Sequence, residues 1–248
     1  MFTERFKGIK GGNAPLMLVS VIIPSFKDNS YFNLVDAIDS LLKQSYTDIE
    51  VIVVIHTGKK LYEEIVKAYG AQNKVKVVFN EQSLGAYAAR NVGIRAAQGE
   101  ILAFLDDDAV ADEKWIENLV NTYRELDAMA VGGKILPIWL PCKPAYFPEE
   151  LYWLVGVTHK GFAEDKLAEV RNAFGPNMSF KREVFEQAGL FNENLGFSKQ
   201  GTSYIQAGEA EFSLRMTDKF GVGVIYNPEA IVHHKIPVSK ARLRLMLK

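Results

Sequence analysis

The chain of 248 residues holds a single cysteine, Cys142. That excludes an internal disulfide framework and any metal site built from clustered thiolates, and it suits a reducing compartment. No apolar run reaches the ~18 residues that a membrane-spanning helix needs, and the first 20 residues carry no signal-type apolar segment. The expected location is therefore cytoplasmic, at most peripheral at the cytoplasmic face of a membrane. An excess of one charge is missing too. The 29 Lys and Arg nearly match the 30 Asp and Glu, for a formal net charge of -1, so no broad basic field points to nucleic acid. Internal repeats and low-complexity tracts are absent.

With 48% hydrophobic and 24% charged residues, the chain is an ordinary globular one, long enough for a substantial core. "VSVIIPSF", "EVIVVI", "KVKVVF" and "EILAFL" read as four short strands, apolar on both faces. Between them, "YFNLVDAIDSLLKQ", "KKLYEEIVKAYG" and "LGAYAARNVGIRAAQ" carry helical spacing. Strands of that kind alternating with helices predict an α/β fold with a mainly parallel sheet. The regular rhythm occupies residues 19–110, behind a loose leader at 1–18. It breaks in the second half, residues 111–235. There, residues 137–148 interleave Pro137, Pro141, Pro144 and Pro148 with Trp139, Tyr146 and Phe147, and read as a long irregular but ordered segment. Helices are expected near 181–189 and 207–219 and a strand at Val222–Tyr226. A basic-apolar tail, 236–248, ends the chain.

The chemistry concentrates after the fourth strand, where "FLDDD" sets Asp106, Asp107 and Asp108 side by side. In open α/β sheets ligands bind outside the carboxyl ends of the strands, which is where this loop belongs. Hard carboxylate oxygens suit Mg2+ or Mn2+, and Mg2+ typically takes one or two carboxylates and completes its shell with phosphates and water. The alternative is a solvated acidic turn.

The neighbouring residues carry a resemblance. "VSVIIPSFKD", "ARNVGIRAAQGEILAFLDDD", "GPNMSFKREVFEQAGLFNENLG" and "GEAEFSLR" are each loose patterns, but their order and spacing are specific. From about Val19 to Lys235 the chain resembles the family 2 glycosyltransferases of the GT-A fold, a Rossmann-like mixed sheet flanked by helices. The resemblance makes 19–110 a nucleotide-sugar-binding half and 111–235 an acceptor-binding and catalytic half, fused. It implies that Asp108 binds the cation bridging the donor diphosphate, while Asp106 and Asp107 approach the ribose and sugar. Pro24, Ser25 and Lys27, after the first strand, match residues that touch the nucleoside. Arg90 matches one that contacts base or phosphate, although an arginine there could simply pair with the acidic loop. One departure bears on the donor. Members of the family often end the second strand on an Asp that reads uracil, whereas this chain has Ile55 and His56. A uridine donor, the commonest in the family, is therefore not secure; His56 is either a substitute reader or a surface residue.

On the acceptor side the resemblance implies a base at the start of a helix, about six residues before an arginine. Glu209 in "AGEAEFSLR" matches it, with Gly208 where a first acid often stands and Glu211 as runner-up on the acceptor side. Both acids also suit a helix N-terminus for reasons of dipole alone. Asn177 could hydrogen-bond sugar or acceptor, or could belong to a structural turn. Asn194–Glu209 reads as a loop that orders over the donor. Some GT-A enzymes use a C-terminal histidine as a metal ligand. His234 suits that role, and since neighbouring strand residues point oppositely, His233 and His234 cannot both face the site. The tail reads as a membrane-surface helix or a solvated end, and with the aromatics it suggests a lipid-linked acceptor.

The expectation is an inverting, Mn2+- or Mg2+-dependent glycosyltransferase. It would move sugar from a nucleotide-diphosphate donor to an acceptor hydroxyl in glycan, glycolipid or polysaccharide synthesis. A nucleotidylyltransferase would want a Gly-rich triphosphate loop after the first strand, which "PSFKDNSY" does not supply. A catalytically silent nucleotide-sugar-binding module would have no need of Asp108 and Glu209 together.

Overall fold

The computed structural model describes residues 16–25, 30–56, 58–81, 85–195 and 207–241. Strands β1 (Val19–Ser25), β2 (Ile49–His56), β3 (Val75–Asn80) and β4 (Ile101–Phe104) pair in parallel in the order β3-β2-β1-β4. The side chains of β1, β2 and β4 alternate between two buried layers, while the edge strand β3 exposes Lys76. Val19, Val21 and Ile23 point into a core shared with helices α1 (Tyr31–Leu42) and α2 (Lys59–Tyr69). Ile22, Ile52 and Val54 point to the other side, against helix α3 (Ala86–Ala96). Helix α3 is rich in alanine and glycine because it lies almost on the strands. A Cβ on Gly93 would come within 2.4 Å of the Ile22 Cγ2 atom.

The sheet continues without interruption into the second half. β4 pairs antiparallel with β8 (Met178–Lys181), and β8 pairs antiparallel with β6 (Ala130–Leu140). β6 then runs parallel to the long β9 (Val224–Pro237), which also carries β5 (Ala109–Ala111) and β7 (Ala168–Val170) as antiparallel neighbours. Helices α4 (Trp115–Leu126), α5 (Arg182–Ala188) and α6 (Gly208–Phe220) complete the described residues with short 3-10 turns. α6 is anchored through Phe212, whose ring lies 4.6–4.9 Å from those of Phe180, Phe185 and Phe191.

Two expectations need correction. The segment 137–148 is not irregular throughout, since β6 extends to Leu140 and includes Pro137 and Trp139. β8 leaves β6 after Gly132, so from there β6 is laddered to β9 on one side only, where a proline's missing N–H is tolerated. The last strand is not the short Val222–Tyr226 but runs on to Pro237, so His234 lies within it. No helix among the described residues is long and apolar enough to cross a membrane.

The α3–β1 contact gives a direct test of the packing. Gly93→Ala is expected to destabilise by about 1–3 kcal/mol, the usual cost of overpacking. Combined with Ile22→Ala, itself destabilising, the total loss should fall short of the sum of the two single losses, read as the urea midpoint at constant slope. Simple additivity of the two losses would contradict the contact.

Candidate active site

Three adjacent carboxylates would repel one another if they shared one direction. The loop after β4 resolves this by turning each to a different partner. Asp106 faces Arg90, with Nη2 3.2 Å from Oδ1. Asp107 is buried and accepts a 2.6 Å hydrogen bond from the Ser25 hydroxyl, which also lies 2.9 Å from that of Ser30. Asp108 faces His234 from β9, with Nε2 3.0 Å from its Oδ1, and Lys240 3.1 Å from its Oδ2. Because β1 and β4 are parallel, Ser25 and the acidic loop open at the same sheet edge.

Arg90 joins this loop to Glu209. Its side chain is only 5% exposed, and Nη1 lies 2.7 Å from the Glu209 Oε1 atom. Tyr87, one turn earlier on α3, donates its hydroxyl proton to Glu209 Oε2 at 2.5 Å and accepts the Gly208 N–H at 3.0 Å. Two glycines make room for this. A Cβ on Gly208 would strike the Tyr87 ring at 2.2 Å, so the acid often found at that position cannot stand here with Tyr87 in place. A Cβ on Gly175 would come within 2.7 Å of Arg90 Nη2 and 2.9 Å of Glu209 Oε1. Burial alone would raise the Glu209 carboxyl. The Arg90 charge and the hydrogen bonds from Tyr87 and Arg90 outweigh it and hold Glu209 below its usual range. For Asp106 burial prevails over the Arg90 charge, and its pKa is raised.

Asp106, Asp108 and His234 offer ligand atoms within 4.8 Å of one another. Two hard carboxylates with one imidazole suit a divalent cation such as Mn2+. His234 Nδ1 lies 3.3 Å from the Gly156 carbonyl oxygen. With a cation bound, a proton on Nδ1 would leave the Nε2 lone pair for the metal, the usual arrangement of a metal-ligating histidine; without one, Nε2 is the atom that faces Asp108 as a donor. Burial disfavours the Asp108 carboxylate, but hydrogen bonds and charge from His234 and Lys240 outweigh it, so its pKa is lowered. The donor set therefore fits a cation.

Other expected residues fare differently. Pro24 is buried in β1, beside the cluster only through its neighbour Ser25. Lys27 and most of the loop expected to close over the donor (196–206) lie outside the described residues, as do tail residues 242–248. Glu211 is not brought to Glu209's partners, being held by Arg215 through contacts of 2.7 and 3.0 Å. Asn177 is fully buried. Its carboxamide accepts from Trp115 Nε1 and donates to the carbonyls of Lys134 and Ala230, so it ties α4 to β6 and β9 instead of offering itself to an acceptor. His56 is no surface residue, since both it and Ile55 are wholly buried at the end of β2. Two residues of the cluster escaped the sequence reading. Tyr87 had a signal, its one-turn spacing from Arg90 on a single helix face. Lys240 had none.

Acid should expose the Arg90–Glu209 link. With its folded pKa held below the ordinary glutamate value of 4.5, Glu209 contributes stability that is complete above that pH and lost as pH falls through the folded value. The stability gap between wild type and Glu209→Gln is thus expected to be widest near neutrality and to narrow below pH 4.5. Urea titrations across pH measure it; a gap indifferent to pH would contradict the pairing.

The family model of glycosyl transferase family 2 matches residues 20–189. A glucosyl-dolichyl phosphate glucuronosyltransferase of Haloferax volcanii is 38% identical over 221 residues, covering 89% of this chain and 70% of that protein. Glycosyltransferase GlyG of Streptococcus pneumoniae is 37% identical over 117 residues, 47% of this chain and 38% of the relative. Among solved structures, S. aureus TarS 1-349 superposes with a TM-score of 0.64 at 18% identity, over 88% of this chain and 60% of its own. The mannosyltransferase PcManGT from Pyrobaculum calidifontis, in complex with GDP-Man and Mn2+, gives 0.63 at 21% identity, over 94% and 61%. These structural likenesses carry the GT-A fold, while the family match and the Haloferax relative carry the activity class. With its mainly parallel α/β core, its acidic loop at the sheet edge and these relatives, the chain belongs to glycosyl transferase family 2 and is a glycosyltransferase.

Proposed function

We propose that this glycosyltransferase works with inversion and depends on a divalent cation, taking sugar from a nucleoside diphosphate donor. The observation that carries the reading is the convergence, through Arg90, of an acidic cluster fit for a cation with a buried carboxylate at a helix start. Asp108 and His234, with Asp106, would hold the cation, which when bound stabilises negative charge on the diphosphate. Glu209 takes the proton of the acceptor hydroxyl as that oxygen bonds to the anomeric carbon. The bond from that carbon to the diphosphate breaks, and its electron pair leaves with the diphosphate. Arg90 and Tyr87 occupy two of the roughly four lone-pair sites of the carboxylate, leaving others for the hydroxyl. Its lowered pKa keeps Glu209 ionised at neutral pH.

The acceptor we propose is lipid-linked. The Haloferax relative is named as a glucosyl-dolichyl phosphate glucuronosyltransferase, which supports that class. Four exposed apolar side chains close in sequence support contact with a membrane surface: Leu140, Tyr146, Trp153 and Leu154 are 44, 53, 50 and 39% exposed within fifteen residues of chain. Tyr146 donates to the Ala241 carbonyl at 3.2 Å, so the end of the described chain lies beside Tyr146. Solved relatives carry UDP-GlcNAc and GDP-Man, and both bases remain open for this chain.

Three measurements test the reading. Glu209→Gln is expected to lower kcat by roughly 10^2–10^4-fold with donor affinity nearly unchanged, and chelation of divalent cations should abolish turnover that Mn2+ restores. Full turnover by the variant would make the chain's chemistry independent of this carboxylate. The paired change Trp153→Ser with Leu154→Ser is expected to reduce flotation with anionic liposomes; unchanged flotation would remove the membrane assignment.

A further inference from the structure

Asp108 is gripped from two sides, and only one partner is a metal-ligand type. Lys240 belongs to the 3-10 turn Val238–Ala241 that follows β9. Its ammonium reaches back across 132 residues of sequence to Asp108 Oδ2. The Lys240 side chain is 38% exposed, and that of Asp108 is 15% exposed. A pair with so solvated a partner is weak, and a flexible four-carbon stem lets the ammonium leave it. An ammonium and a divalent cation on one carboxylate repel each other. If a cation were shared by Asp108 and His234, the ammonium displaced from Asp108 Oδ2 would be free to pair with the donor diphosphate that the same cation holds.

We propose that Lys240 is a further binding and catalytic residue of the transfer site. It neutralises Asp108 before the donor arrives, then turns its ammonium to the donor diphosphate. This rests on the cation–diphosphate reading above. As the acceptor oxygen bonds to the anomeric carbon, its proton passes to Glu209 and the bonding pair of the breaking bond moves onto the diphosphate. Lys240 donates a charge-assisted hydrogen bond to that group, so its contact strengthens as charge collects there. The competing role is a passive tie between the end of β9 and the acidic loop. Such a tie would alter stability and leave ligand affinities untouched.

The experiment compares wild type with Lys240→Met and Lys240→Arg, using Mn2+ and pyrophosphate as probes so that no nucleobase need be known. Mn2+ affinity is read by electron paramagnetic resonance without nucleotide, and pyrophosphate affinity by calorimetry at saturating Mn2+. Lys240→Met is expected to bind Mn2+ about 2- to 5-fold more tightly, since a competing cation has gone. It is expected to bind pyrophosphate roughly 10- to 100-fold more weakly, since a charged donor has gone. Lys240→Arg should restore most of the second loss. Undiminished pyrophosphate binding by Lys240→Met overturns this proposal alone. Failure of the wild type to bind Mn2+, or pyrophosphate with it, overturns the reading of the whole site.

Discussion

The site depends on one buried guanidinium. Arg90, 4% exposed, stands between Asp106, 16 residues ahead, and Glu209, 119 residues ahead. A buried cation demands paired anions, and removing one partner of such a set typically costs about 3–5 kcal/mol. Arg90 therefore fixes both carboxylates relative to α3, and α3 is fixed to the sheet by the Gly93–Ile22 contact. Through that chain of contacts, Glu209 on α6 and the acidic loop after β4 hold one geometry although they arise in different halves of the molecule. Gly175 and Gly208 follow from the same constraint, because a side chain at either would enter the space of Arg90, Glu209 or Tyr87.

The triple aspartate fits this picture. Adjacent like charges are tolerable when each has its own compensation. Here a guanidinium, a serine hydroxyl, and an imidazole with an ammonium divide the task. The division also sorts the three chemically. Asp107 is engaged in holding the end of β1, whereas Asp106 and Asp108 keep oxygens near His234. A cation and an anionic diphosphate would thus enter a site whose charges are already arranged for them.

Much of this was legible in the sequence, because it depends on local pattern. Continuous apolar runs alternating with helical spacing specify parallel strands, and the acidic loop then has to lie at a carboxyl edge. The order of short motifs identified Glu209 and His234 for testing. What escaped depends on tertiary pairing. Pro137 reads as a strand breaker until β6 is seen to be laddered on one side only beyond Gly132. Asn177 reads as a ligand contact, yet its carboxamide is consumed by Trp115, Lys134 and Ala230. Lys240 reads as one basic residue in a tail, since nothing local foretells a turn that returns it to Asp108. Ile55 is spent in the core beneath α1 and α2, a packing role that its place in the family pattern does not reveal.

The central claim is that Asp108 helps hold a cation through which a nucleoside diphosphate binds. Thermal denaturation of wild type and Asp108→Asn, each with UDP or GDP in the presence and absence of Mn2+, tests it most directly. One of these nucleotides is expected to raise Tm of the wild type only when Mn2+ is present, and Asp108→Asn is expected to abolish the rise. A nucleotide-induced rise that is equal without Mn2+, or that survives in Asp108→Asn, would contradict it.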